Sequence, residues 1–292
     1  MEISRLVVLG SLFALAACSK LTGADSQNQT PPSAPAAPAA AGSVAAAQPA
    51  GPLVGALVGQ GGAAAWSKLS AAEVAHVKAV PFLYLHQSVG QDLEDGCEAN
   101  GVKFEYFGPE TTALAAGPNG GIFTDVGNVP NGEPFKKIEV VRKALKATKG
   151  AARIVSFSFG YADIRDADLP KVQVEYQKLV AEVKAKGARF LHVTPPLVFS
   201  VEENPAKQKM RAFMLATFKD DVIFDLQDLE SFDAGKRCEE GGVWRICPTI
   251  RSTTACSSKS QGIDGDGAGH LCERRAEEIA KALLYAIHLA GK

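Results

Sequence analysis

Three residue types in this 292-residue chain could carry nucleophilic chemistry: a serine at a strand end, a histidine, and aspartates close to that histidine. The serine is Ser88. It closes the run Pro81-Phe82-Leu83-Tyr84-Leu85-His86-Gln87-Ser88-Val89-Gly90, where apolar and aromatic residues lead to a polar His-Gln-Ser and stop at a small residue. The run reads as a buried strand that delivers Ser88 to its carboxyl end, with a helix starting just after it. Ligands of open α/β sheets sit at that end of the strands, which makes Ser88 a candidate nucleophile. Serine also favours the first position of a helix, so capping is the competing reading. The histidine is His270, in Gly262-Ile263-Asp264-Gly265-Asp266-Gly267-Ala268-Gly269-His270-Leu271. A general base for a serine is an imidazole within hydrogen-bond reach, oriented by a carboxylate on its other nitrogen. Asp266 is close enough to His270 to meet this by local folding, and Asp264 is the alternative. The same Asp-Gly-Asp-Gly opens like a calcium loop, but the twelfth position from Asp264 is Arg275 rather than glutamate.

The elements that must position these groups follow an alternating pattern. Strands are expected at 81–86, 102–107, 152–159, 188–193 and 222–226. Helices are expected at 67–79, 91–98, 133–148, 169–186, 204–219 and 273–289, with Ser70 and Glu73 forming a capping box. The stretch 108–131 reads as a Gly- and Pro-rich loop. Strands alternating with helices mean an α/β domain with a parallel sheet, here of about five strands, covered on both faces. Of the whole chain 22% is charged and 46% hydrophobic, with a formal net charge of −1 and no long basic run, so nothing points to a nucleic-acid partner.

The first 18 residues read as an export signal. Arg5 supplies the positive charge, and residues 6–15 form an apolar core too short to span a bilayer. The signal ends in Leu15-Ala16-Ala17-Cys18, which resembles a bacterial lipobox. That resemblance implies a diacylated Cys18 as the mature N-terminus, and several acyl chains anchor stably where one is marginal. Ser19, in place of aspartate, implies sorting to the outer membrane of a Gram-negative cell envelope. Residues 19–65, rich in Ala, Pro, Gly, Ser and Gln, read as a flexible tether, and residues 66–292 as one folded domain. Beyond Cys18, five cysteines remain in an oxidising compartment. The pairs expected are Cys238 with Cys247 and Cys256 with Cys272, leaving Cys97 over. A metal site is not expected, since no Cys-x-x-Cys pair occurs.

A serine after the first strand and an Asp…His pair before the last helix resemble the SGNH (GDSL-like) hydrolases. His86-Gln87-Ser88-Val89-Gly90 is similar to the His-His-Ser-x-Gly form of their nucleophile block. Asn131-Gly132-Glu133-Pro134-Phe135-Lys136-Lys137-Ile138 is similar to an Asn-Gly-Asp-Pro…Lys-Ile segment. Phe157-Ser158-Phe159-Gly160-Tyr161-Ala162-Asp163-Ile164 resembles Lys-Phe-Cys-Tyr-x-Asp-Ile, and His192-Val193-Thr194-Pro195-Pro196-Leu197 resembles His-Val-Thr-x-Pro-Leu. The likeness covers about residues 80–290. It implies a three-layer α/β/α, flavodoxin-like fold and a serine esterase that needs no cofactor. Ser88 would attack the ester, His270 would carry the proton, and Asp266 or Asp264 would orient His270. The N–H groups of Ser88 and Gly132 would hold the oxyanion, and His86, Asn131, Tyr161 and Asp163 would contact substrate. The implied substrate is a small acyl ester, such as an acetyl group on an envelope or extracellular carbohydrate. A non-catalytic glycan- or partner-binding lipoprotein of the same fold, or an acyltransferase using the same triad, are the alternatives. Three departures stand out: Gly267 occupies the usual acid position three before His270, Asp163 replaces an oxyanion-donating Asn, and the Gly-Asp-Ser wording is missing.

Overall fold

The computed structural model of the protein describes residues 55–263 and 268–292. The signal, Cys18 and most of the expected tether lie outside them, as do Asp264 and Asp266. In chain order the main elements are β1 (Ala56–Val58), α1 (Gly62–Trp66), α2 (Ala71–Ala79), β2 (Phe82–His86), α3 (Val89–Ala99), β3 (Glu105–Tyr106), β4 (Pro118–Ile122) and α4 (Phe123–Val126). They continue with α5 (Pro134–Ala147), β5 (Ile154–Phe157), α6 (Leu169–Ala185), β6 (Arg189–Val193), α7 (Pro205–Thr217), β7 (Val222–Phe224), α8 (Leu226–Glu230) and α9 (Glu273–Gly291). Two small hairpins pair 232–233 with 236–237 and 239–240 with 243–244.

The strands form one seven-stranded parallel sheet in the order β1-β7-β6-β5-β2-β4-β3. Parallel sheets are buried on both faces, which is why β2 is a continuous apolar run rather than an alternating one. Its side chains still divide by the two-residue period of a strand. Phe82 and Tyr84 join a core with Leu93 of α3 and Leu283 of α9. Leu83 and Leu85 join a second core with Val141 of α5, Tyr176 of α6 and Met210 of α7. Helices therefore cover both faces.

The sheet has seven strands instead of the five expected. β1 comes from the stretch read as tether, so the folded part begins at least ten residues earlier than residue 66, with Ala56, Leu57 and Val58 opposite Val222, Ile223 and Phe224. β4 comes from the stretch read as loop. Pro118-Asn119-Gly120-Gly121-Ile122 has poor strand propensity, but β2 pairs with it along its whole length. A Cβ on Gly121 would sit 2.8 Å from Leu85 Cδ2 and 3.0 Å from the Phe107 carbonyl oxygen, so a side chain there would force its neighbours to shift. The six expected helices fall within a few residues of expectation as α2, α3, α5, α6, α7 and α9, with the Ser70–Glu73 capping box present, whereas the short α1, α4 and α8 were not expected.

Two features set the geometry of the site. With the edge strands β1 and β3 set aside, the order of strands reverses between β2 and β5, and the crevice at such a switch point is where α/β sheets bind ligands. The segments after β2 and β5 carry Ser88 and Asp163. On one face, α3 lies tightly against α9: a Cβ on Gly96 would come within 2.3 Å of the Ala276 carbonyl oxygen. Gly96 thus fixes the distance between the helix that begins at Ser88 and the helix that follows His270.

Candidate active site

Ser88 occupies the N-cap position of α3, yet its side chain makes no capping hydrogen bond. Its hydroxyl lies 3.0 Å from His270 Nε2. Its backbone has φ 61° and ψ −118°, a conformation that a residue with a Cβ rarely adopts. Such strain costs roughly 1–3 kcal/mol and persists only where the surroundings impose it. Gly90 is part of that imposition, because a Cβ there would meet His86 Cβ at 2.4 Å. The turn aims Ser88 Oγ away from its own helix and toward the histidine. The N–H groups of Ser88 and Val89 head α3, while Gly90 and Gln91 turn theirs back onto the Gln87 and Ser88 carbonyls.

His270 is held from its other nitrogen. Nδ1 lies 3.0 Å from Asp92 Oδ2, and that same oxygen accepts the Leu271 N–H at 3.0 Å. Asp92 Oδ1 accepts the Ser258 hydroxyl. A carboxylate can only accept, so His270 Nδ1 carries the hydrogen and Nε2 is left as the acceptor for Ser88 Oγ. Asp92 is only 1% exposed. It sits four residues after Ser88, one helical turn along α3, so both outer members of the relay come from the same helix end. The carboxylate on His270 Nδ1 is thus one that the sequence reading did not name. It is Asp92, while Asp264 and Asp266 lie outside the described residues. The spacing Ser88-x-x-x-Asp92 at the start of a helix was the available signal; proximity to His270 in sequence outweighed it.

The loop behind this relay is cross-linked. Cys256 pairs with Cys272, two residues after His270, and Cys238 pairs with Cys247, while Cys97 is free and buried. Backbone bonds join the same segments: Ser252 N to His270 O at 2.7 Å, Cys272 N to Ile250 O at 2.9 Å, and Glu273 N to Ser257 O at 2.9 Å. His270 thus hangs from a braced frame.

Asp163 does not reach toward a ligand. It is fully buried, and its carboxylate accepts Gly132 N–H at 2.7 Å, Gly160 N–H at 2.6 Å and Lys137 Nζ at 2.6 Å. Burial lowers the Lys137 pKa, opposed by the Asp163 charge. The expected substrate contact of Asp163 is thereby corrected: it ties together the turns after β5 and before α5. The expected oxyanion role of Gly132 is corrected with it, because its N–H is already given to Asp163. Asp163 is paired with Lys137, and Arg165 contacts Asp168 and the Gly132 carbonyl.

His86 is also corrected as a substrate contact. It is fully buried beneath the site, with Nε2 2.5 Å from Glu94 Oε2 and its ring 4.8 Å from that of Tyr84. Asn131 and Tyr161 remain at the surface of a cleft of about 490 Å³. The Tyr161 ring meets the His270 ring edge-on, 5.9 Å between centroids. From there the cleft runs past Arg165 to Glu202 and Lys207, whose pKa burial pulls down to about 8. Ser88 and His270, each 8% exposed, do not line the cleft themselves; His270 adjoins it through the Tyr161 ring.

No protein-family model matches this chain, and no curated protein matches it in sequence. The functional reading therefore stands on the geometry and on the likeness of the short blocks.

Proposed function

We propose that this protein is a serine ester hydrolase of the SGNH type, with the flavodoxin-like sheet of that family, and that it acts at the cell envelope. The observation that carries the reading is Ser88 itself. A serine at a helix N-cap forgoes its capping bond, takes a strained backbone and lies 3.0 Å from a histidine held by a buried carboxylate. A serine kept only as a cap has no reason to do this.

In this mechanism Ser88 Oγ attacks the ester carbonyl as His270 Nε2 takes its proton. Asp92 stabilises the imidazolium and keeps Nδ1 protonated. His270 then gives the proton to the leaving alcohol, and a water activated by the same imidazole releases the acid from Ser88. The N–H groups at the head of α3 face the developing oxyanion, helped by the positive end of the helix; pre-aimed donors of this kind are worth about 3–4 kcal/mol each. The cleft beyond Tyr161 takes the alcohol side of the ester. Its Asn, Arg, Lys and Glu lining suits a hydroxyl-rich alcohol, so the substrate is a small acyl group, such as acetyl, on a carbohydrate. The Leu15-Ala16-Ala17-Cys18 segment supports a lipid anchor at Cys18 and an outer-membrane location.

One observation favours a second reading, a glycan-binding lipoprotein without turnover. The Gly132 N–H is occupied by Asp163, which leaves fewer oxyanion donors than an efficient esterase uses. The two are separated by incubating the purified protein with p-nitrophenyl acetate and with an acetylated polysaccharide. Acetate release that Ser88→Ala abolishes supports the esterase; retained binding of the polysaccharide with no release in the unaltered protein supports the second reading.

A further inference from the structure

The relay has a fourth member. Ser258 is 3% exposed and lies on the cross-linked loop, 166 residues from Asp92 in sequence. Its hydroxyl oxygen accepts the Gln261 N–H at 3.0 Å. Its hydrogen is therefore available to Asp92 Oδ1, which can only accept. The backbone of Ser258 is pinned on both sides. Its N–H meets Ser252 Oγ at 3.1 Å and Gly262 O at 3.0 Å, and its neighbours are tied to α9 by Glu273 N–Ser257 O and by the Cys256–Cys272 disulfide. Ser252 in turn donates its own N–H to the His270 carbonyl. One frame thus holds both the histidine and a hydroxyl aimed at the carboxylate that orients it.

We propose that Ser258 is a positioning residue of the relay: it donates to Asp92 Oδ1, fixes the rotation of that carboxylate so that Oδ2 faces His270 Nδ1, and draws part of its charge away from the imidazole. Without the Ser258 hydroxyl, a buried carboxylate oxygen loses its donor and more of the charge falls on His270. The imidazolium is then better stabilised, so His270 holds its proton to higher pH. Of the other charged groups on the packed elements, Lys259 pairs with Glu98, Asp95 accepts the Ser260 hydroxyl, and Arg251, whose backbone bridges to Leu271, lays its guanidinium over the Phe199 ring. Tyr161 meets the His270 ring edge from the segment after β5. Glu230 of α8 is buried within electrostatic reach of Asp92, and that burial pushes its pKa well above the ordinary carboxylate value.

The kinetic consequence rests on the esterase reading; the titration does not. The test follows the His270 ring by NMR across pH in the unaltered protein, in Ser258→Ala and in Ser258→Thr. The Ala variant is expected to titrate higher by about half a pH unit or more, as loss of a donor to the charged acid implies, and the Thr variant is expected to restore the original value. The acidic limb of kcat moves in step, with KM unchanged. The unaltered protein is also expected to give a slowly exchanging Ser258 hydroxyl proton, a readout that does not depend on the Ala variant folding. An unmoved titration in a folded Ala variant, a Thr variant no better than Ala, or a fast-exchanging hydroxyl each overturns the proposal. A protein that shows the shift but hydrolyses no ester overturns the esterase reading and leaves this one standing.

Discussion

Replacing Asp92 by asparagine removes one charge while keeping the shape of the group that holds His270. Asp92 Oδ2 accepts two N–H donors, from His270 and Leu271, whereas Oδ1 faces a single hydroxyl that can rotate. The amide therefore settles with its oxygen toward His270 and its NH2 toward Ser258, and the imidazole keeps its hydrogen on Nδ1. The loss is then one of charge and not of tautomer. A carboxylate and an imidazolium about 4 Å apart attract by roughly 4 kcal/mol at an effective dielectric near 20, and the amide dipole retains part of this. About 3 kcal/mol lost from the transition state is on the order of a hundredfold in kcat. Asp92→Ala, which frees the ring to turn as well, is expected to lose at least tenfold more. The assay is steady-state hydrolysis of p-nitrophenyl acetate, with Asp264→Asn and Asp266→Asn measured beside it. Near-normal turnover in Asp92→Asn, together with collapse in either of the other two, would refute the reasoning.

Three further outcomes follow from the packing and the electrostatics. Ser88→Gly is expected to be inactive yet more stable than Ser88→Ala by about 1 kcal/mol in urea unfolding, because glycine accepts the positive φ without strain. Gly96→Ala must push α3 off α9, since its methyl meets the Ala276 carbonyl. It is expected to cost about 1–3 kcal/mol of stability and to lower kcat by separating Ser88 and Asp92 from His270. Burial holds the Glu230 carboxyl protonated well above the ordinary carboxylate range of 4.5. Its contribution is complete below pH 4.5, where both folded and unfolded states are protonated, and is lost as pH rises toward the folded value. Glu230→Gln removes that slope, so the variant is expected to gain on the unaltered protein by about 1.4 kcal/mol for each pH unit above 4.5 in this window, read by denaturation at stepped pH.

Much of this fold was legible from periodicity. The helices α5, α6, α7 and α9 and the strands β2, β5, β6 and β7 are long or apolar enough to declare themselves, and each lies where its pattern indicates. What stayed hidden was made by neighbours. Ala56-Leu57-Val58 is too short to announce a strand and becomes one by lying along β7. Pro118 to Ile122 carries two glycines because β2 and Glu94 crowd it, and those glycines read as loop. The site divides in the same way. Ser88 and His270 could be found because each ends or begins an element, and their meeting joins residues 182 apart. Asp92 could not be chosen over Asp266 without knowing that the His270 ring turns back toward α3. The acid at position 163 looked like a departure at an oxyanion position; its partner Lys137 lies 26 residues away on α5, and only the folded chain shows the two as a buried pair.

The central claim is that Ser88 is an activated nucleophile. A fluorophosphonate probe tests it most directly, since it adds covalently to a serine only where a base and oxyanion donors are in place. Incubated with the folded protein and mapped by peptide mass spectrometry, the probe is expected to modify Ser88 alone, at a rate that falls at least a hundredfold in His270→Ala. A folded protein that leaves Ser88 unlabelled, or labels it equally fast without His270, contradicts the account.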